Sequence, residues 1–301
     1  MNRGFLYALV AYIMWGLLPI YWKLLHSVSA AAVLSHRMVW SLVIVALILT
    51  VRKEWAWIRR VDRKAVLTFL AVAVLLIINW YTYIWAINQG FIVESSLGYF
   101  INPLVNVLLG GLFLGERLRP VQKVAIAIAC GGVLYLTLNL GALPWIALTL
   151  AFSFGFYGLL KKTAGLNALE GMGLEMAILS VPALAYLLLS GDPASPSLLT
   201  GTPYISAMLV GTGIVTAIPL LAFAAAARRL TLTTLGLIQY LAPTLQFLIG
   251  VFVYGEDFTP ARAVGFVLIW IALAIYSGET ILRHRQRSQR QALMAKAVAA
   301  D

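Results

Sequence analysis

GERLRP, residues 115–120, returns 140 positions later as GEDFTP, residues 255–260, with Gly, Glu and Pro in matching places. The earlier copy carries Arg117 and Arg119 where the later one has Asp257 and Thr259. A repeat that keeps glycine and proline keeps a backbone shape, because glycine admits left-handed φ and proline fixes φ and removes a donor. A repeat that drops its positive charge has changed its surroundings. The likeness runs without gaps over residues 97–124 against 237–264, with further identities at Leu97/Leu237, Pro103/Pro243, Leu108/Leu248, Gly110/Gly250 and Val124/Val264. Upstream, at an offset of 139, Trp15-Gly16 corresponds to Phe154-Gly155 and Lys23 to Lys162.

The surroundings are lipid. Of 301 residues, 62% are hydrophobic and 11% charged, with a mean hydropathy of +0.92; soluble globular chains carry about 25% charged residues. The net charge of +11 lies in short clusters between long apolar runs, the pattern of loops between membrane spans. Nucleic-acid binding, which needs a basic face on a folded domain, is not expected. Cys130 is the single cysteine, so neither an intrachain disulfide nor a cysteine metal site can form, and its apolar setting predicts a small packed residue. The first apolar run is too long for a signal-peptide core and reads as a retained span.

A helix crosses a bilayer in about 20 residues at ~1.5 Å each. Runs of that length occupy residues 4–25, 30–51, 65–87, 91–114, 120–139, 143–161, 169–190, 203–227, 231–254 and 261–279. Of the 22 basic residues, all except Lys23, Arg262 and the span-embedded Arg37 fall at the N-terminus, in every second loop or in the tail. By the positive-inside rule both termini are expected in the cytoplasm. Five spans per half is an odd number, so a duplicated half enters the membrane from the other side, and GERLRP and GEDFTP face opposite compartments. The sequence predicts an all-α integral membrane protein of ten transmembrane helices in two inverted five-helix repeats, residues 1–139 and 140–279, with a basic tail at 280–301. Inverted repeats of this kind let two similar halves rock around a shared site.

Longer motifs carry a resemblance. HRMVWS (residues 36–41), ESSLGYFINPLVNVLLGGLFLGERL (94–118), LTTLGLIQYLAPTLQFL (232–248) and YGE (254–256) resemble the RarD group of EamA-type transporters, in the drug/metabolite transporter superfamily. The likeness extends from Trp15-Gly16 to Ala272. It implies a bacterial inner-membrane location and transport, usually outward, of small organic molecules. It does not name the solute.

Ionisable groups within spans cost at least ~2.5–3.5 kcal/mol on insertion scales, so they face a cavity or a partner. Arg37 and Glu94 both lie in the outer half of their spans and are expected to pair as an outer gate, with His36 and Lys23 nearby. The inverted counterpart is Glu175 with Lys161 or Lys162. Pro103 and Pro243, at mid-depth in equivalent helices, each free a carbonyl that cavity water or a polar group can meet. Asn102, Asn106, Gln239 and Gln246 beside them suit ligand orientation. A solute site is therefore expected between these two helices near the bilayer midplane. Tyr12, Trp15, Trp80, Tyr81, Tyr99 and Tyr240 lie within spans and suit a flat or amphipathic solute. Trp55, Trp57 and Trp145 sit near loop ends as interfacial anchors.

An intramembrane enzyme would need a nucleophile with its base or a metal cluster. Three histidines, His26, His36 and His284, without HExxH or paired-Asp motifs argue against one, and no cofactor or metal is expected. No nucleotide-binding motif is present, so transport would be secondary, by proton coupling, exchange or facilitated movement. Glu94, Glu175 and His36 are the available proton carriers. The expected partners are a small organic solute and membrane lipids; a lipid-scrambling groove is the alternative, and the oligomeric state is open.

Overall fold

The computed structural model describes residues 3–115, 117–163, 165–191, 202–227, 229–230 and 232–298, and among these it is all helical. The helices are α1 (Arg3–Leu24), α2 (Ala30–Arg52), α3 (Arg63–Gln89), α4 (Ile92–Phe113), α5 (Pro120–Leu140), α6 (Trp145–Thr163), α7 (Ala168–Leu189), α8 (Pro203–Ala227), α9 (Leu232–Ile238), α10 (Leu241–Leu248) and α11 (Pro260–Val298), with a 3₁₀ turn at Ala56–Arg60 and a π turn at Ile249–Val253. Eight are long and apolar enough to cross a membrane, and two shorter apolar helices, Trp145–Lys161 and Leu241–Val253, accompany them. The protein is a multi-pass membrane protein.

One predicted span needs correction. The ninth, 231–254, is not one helix: it breaks between Ile238 and Leu241 and resumes as α10. Pro243 explains the place, since its ring clashes with the carbonyl four residues back, at Gln239, and cannot donate to it. The tenth lies within the apolar span Pro260–Leu282, and α11 continues past it to Val298, because the charged residues after Glu279 are good helix formers.

The repeated hexapeptide acts as a helix-to-helix joint. Gly115 and Gly255 take left-handed φ of +65° and +64°, which glycine adopts without a Cβ penalty. Pro120 and Pro260 are the first residues of α5 and α11, where the missing N–H would be unpaired in any case. Glu116 lies outside the described residues.

Small residues set the packing directions. Gly16 of α1 sits against Leu245 and the Ala242 carbonyl of α10, and Gly155 of α6 against Val105 and Leu109 of α4; both leave no room for a Cβ. These are the same contact in the two halves, since Gly16/Gly155 and Val105/Leu245 are repeat-related. α1 runs antiparallel to α8, with Gly4 beside Arg229 and Leu230, Trp15 beside Phe223 and the Tyr21 hydroxyl donating to the Met208 carbonyl. α6 runs parallel to α4, with Gly98 on Ala147 and Gly155 on Val105. Gly250, before the end of the π turn, rests on Ile92 and Val93 at the start of α4, so α10 and α4 are antiparallel. α5 and α11 are antiparallel through Gly265 on Leu136 and an Arg119–Glu279 ion pair.

Candidate functional site

α2 carries a cation into the bundle. Arg37 is 5% exposed, eight residues into its helix and so about 10 Å from its start. Its Nε–H donates to Thr216 Oγ1 of α8 at 2.9 Å, and its guanidinium lies over Trp80 at 3.8 Å and Trp22 at 5.3 Å from the ring centroids. Tyr83 and Tyr99, whose rings meet edge to face at 5.5 Å, are its electrostatic neighbours. Aromatic faces attract a cation through the ring quadrupole, more so when water is excluded. Beside Arg37 in sequence, His36 is buried and its Nε2 has no partner among the described residues.

The structure does not bring Arg37 and Glu94 together. Glu94, in the first turn of α4, accepts from the Ile146 amide at the start of α6 at 3.2 Å. Free amides at a helix start carry partial positive charge and draw the carboxylate there. Lys23 turns to the Asn88 carbonyl and the Tyr254 ring. The other expected pair forms: Lys161 makes an ion pair with Glu175, which is 3% exposed at its side chain and also accepts from the Tyr157 hydroxyl at 3.4 Å. The side chain of Lys162 lies outside the described residues.

Sequence reading missed a carboxylate clasp. Glu256, the glutamate of GEDFTP, accepts from the Ile92 and Val93 amides at 2.7 and 2.8 Å, so the second repeat caps the fourth helix of the first. Burial pushes its carboxyl above the ordinary range, against the lowering effect of those amides and of Lys23 and Arg262. The capping-residue rules gave no signal because donor and acceptor are 164 residues apart. Also missed were Thr216, Trp22 and Tyr83, and the Asn79 amide, which donates to the Leu150 carbonyl and Ser153 Oγ of α6 at 3.0 Å each.

The residues around the two prolines divide. Asn102 is buried with Oδ1 unpartnered among the described residues, whereas Asn106 is exposed beside Gly155 and Gly158. Gln246 is buried and its amide donates to the Trp15 carbonyl at 3.0 Å, so in this conformation it ties α10 to α1. Gln239 and Tyr240 are half-buried at the break between α9 and α10, and Tyr240 meets Ser277 of α11 at 3.5 Å. Tyr12 and Trp15 pack edge to face with Phe223 nearby.

Three expectations about single residues are corrected. Tyr81 continues an exposed stripe of α3 through Leu70, Val74 and Ile78, a helical spacing that turns it away from the face of Trp80 and Tyr83. Trp57 is buried beside Gly173 of α7 rather than exposed at a loop end, unlike Trp55 and Trp145. Cys130 is exposed on α5 rather than packed.

The profile of the EamA-like transporter family matches this chain twice, at residues 2–138 and 143–278. The chain belongs to the EamA-like transporter family. Protein RarD of Streptomyces exfoliatus is 45% identical over 99% of this chain and 96% of its own length. An uncharacterized transporter, YojE of Bacillus subtilis (strain 168), is 44% identical over 92% of this chain and 94% of its own. Within the family the chain falls with the RarD group. A crystal structure at 20% identity superposes with a TM-score of 0.60 over 90% of this chain and 96% of that one, which speaks for the fold alone. The protein is a membrane transporter.

Proposed function

We propose that this transporter exports small organic solutes across a bacterial inner membrane by alternating access between two inverted five-helix repeats, with both termini in the cytoplasm. One observation carries the reading: exchanging the halves maps the most extensive helix contacts onto one another, although α2–α3, α1–α3 and α4–α11 lack equally extensive counterparts. α1 touches α8 as α6 touches α3, α1 touches α10 as α6 touches α4, and α2 touches α8 as α7 touches α3. α2–α7, α4–α10 and α5–α11 map onto themselves. The packing directions support inversion. α1 runs parallel to α10, with Gly16 beside Leu245 and Lys23 over the ring of Tyr254, which follows α10; α10 opposes α4 and α6 runs parallel to α4, so α1 and α6 run opposite ways.

On this reading the solute site lies between α4 and the broken α9–α10 pair, where Pro103 and Pro243 interrupt the amide ladder. Asn102, Asn106, Gln239, Tyr240, Tyr99, Trp80, Tyr12 and Trp15 belong to its surroundings, and Gln246 joins it when its bond to Trp15 opens. Arg37, His36 and Glu94 serve the outer half. Lys161, Lys162 and Glu175 serve the inner half, where the closed Lys161–Glu175 pair supports a gate. Transport is secondary, and Glu175, Glu94 and His36 are the groups able to carry a proton.

The test is uptake into everted vesicles. Saturable accumulation of water-soluble solutes, absent from vesicles lacking the protein, is expected. Movement of lipid headgroups without solute flux would replace this reading with scrambling. Indifference of the flux to an imposed pH gradient would remove proton coupling while leaving export in place.

A further inference from the structure

Arg37 is a buried cation without a counter-charge among the described residues. A guanidinium offers five N–H donors, and among the described residues only Nε–H finds an acceptor, the neutral hydroxyl of Thr216. The faces of Trp80 and Trp22 attract the charge, but they neither accept the remaining in-plane donors nor neutralise it. Buried charges are ordinarily paired. The acids that reach helical segments are engaged elsewhere: Glu94 with the Ile146 amide, Glu175 with Lys161, Glu279 with Arg119 and Glu170 with Arg60. Close by, Trp22 Nε1 and the Tyr83 hydroxyl are also buried without hydrogen-bond partners among the described residues.

We propose that the transported solute is an organic carboxylate of net negative charge, seated on the Nη edge of Arg37 with its apolar or aromatic body against Trp80 and Trp22. The inference rests on the transport reading above and names the solute class. A planar fork of donors matches a carboxylate in two parallel bonds. A phosphate dianion would call for a second cation, and among the described residues Lys23 is engaged by the Asn88 carbonyl and Lys161 by Glu175. A zwitterion would bring an ammonium that finds no free carboxylate around Arg37 among the described residues. The unpaired Trp22 Nε1 and Tyr83 hydroxyl add donors for a second carboxylate bond or a polar substituent on the body. A net anion also needs no proton to leave a cell whose interior is negative, since 100 mV biases one charge outward by about fifty-fold.

The experiment uses the purified full chain and three matched pairs: phenylacetate, indole-3-acetate and hexanoate against their primary amides, with zwitterionic phenylalanine as a further probe. Binding is read from tryptophan fluorescence and from the melting temperature in detergent, and flux from proteoliposomes under an imposed potential. At least one acid is expected to bind ten-fold or more tighter than its amide and to leave faster when the loaded side is negative. Arg37→Lys should weaken the acid at least ten-fold without changing the amide, and Arg37→Gln should abolish the preference. Should Arg37→Gln fail to fold, Arg37→Lys and the wild-type pairs decide. Equal binding of acid and amide, preference for phenylalanine, or no binding by all three acids would overturn the proposal. Flux of the neutral amides with none of the acids would refute the solute class yet leave transport standing. The failure of every probe to exceed protein-free liposomes would tell against the transport reading itself.

Discussion

At Gly255 and Glu256 one dipeptide does two jobs. Gly255 turns the chain at φ +64°, so Gly255→Ala is expected to cost about 1–2 kcal/mol, seen as a lowered melting temperature; an unchanged value would mean the turn relaxes. Glu256 holds the start of α4 through two amides. Glu256→Ala should cost about 1–2 kcal/mol and speed hydrogen exchange at Ile92 and Val93, with Glu256→Gln intermediate; slow exchange in the alanine variant would discard the clasp. A carboxyl raised by burial, as Glu256 is, favours the folded protein at acid pH and loses that contribution as pH rises through its folded value. The melting temperature should therefore step down between acid and neutral pH, and Glu256→Gln should flatten the step. An undiminished step would assign it to another group. The frame of the hexapeptide was legible in the sequence because glycine and proline act locally. What the glutamate grips was not, since Ile92 belongs to the other half.

Among the elements, the broken ninth span and the α6–α7 end carry most of the functional argument. Pro243 marked a kink, and the sequence placed it at mid-helix, but periodicity cannot distinguish a bent span from two short helices because both bury the same apolar residues. The Lys161–Glu175 pair links the end of α6 to the second turn of α7. Reversing either charge alone leaves a buried charge unpaired, at about 3–5 kcal/mol, and should abolish flux; the double reversal Lys161→Glu with Glu175→Lys should recover part of it. If the double variant is as inactive as the singles, the pair does not act as a gate. Sequence offset suggested this pair by analogy with the outer half. It equally suggested Arg37 with Glu94, which the structure separates, because the nearest positive end for Glu94 is the start of α6.

For the whole molecule, inversion is the proposition on which transport rests. With Cys130, which is exposed, replaced by serine, single cysteines at Arg119 and Thr259 should react with an impermeant maleimide from opposite compartments; labelling from the same side would dismantle the inverted arrangement. Membrane character, the approximate spans and the repeat were determined by sequence alone, for a local reason: each follows from hydropathy over about 20 residues or from glycine and proline at fixed offsets. Tertiary structure decided which helices touch, that Thr216 rather than Glu94 receives Arg37, that Glu256 caps α4, and that Tyr81 faces outward. Those outcomes depend on helix rotation and on contacts between residues more than 100 positions apart, and in a chain so uniformly apolar the pattern along one helix says little about which neighbour it will meet.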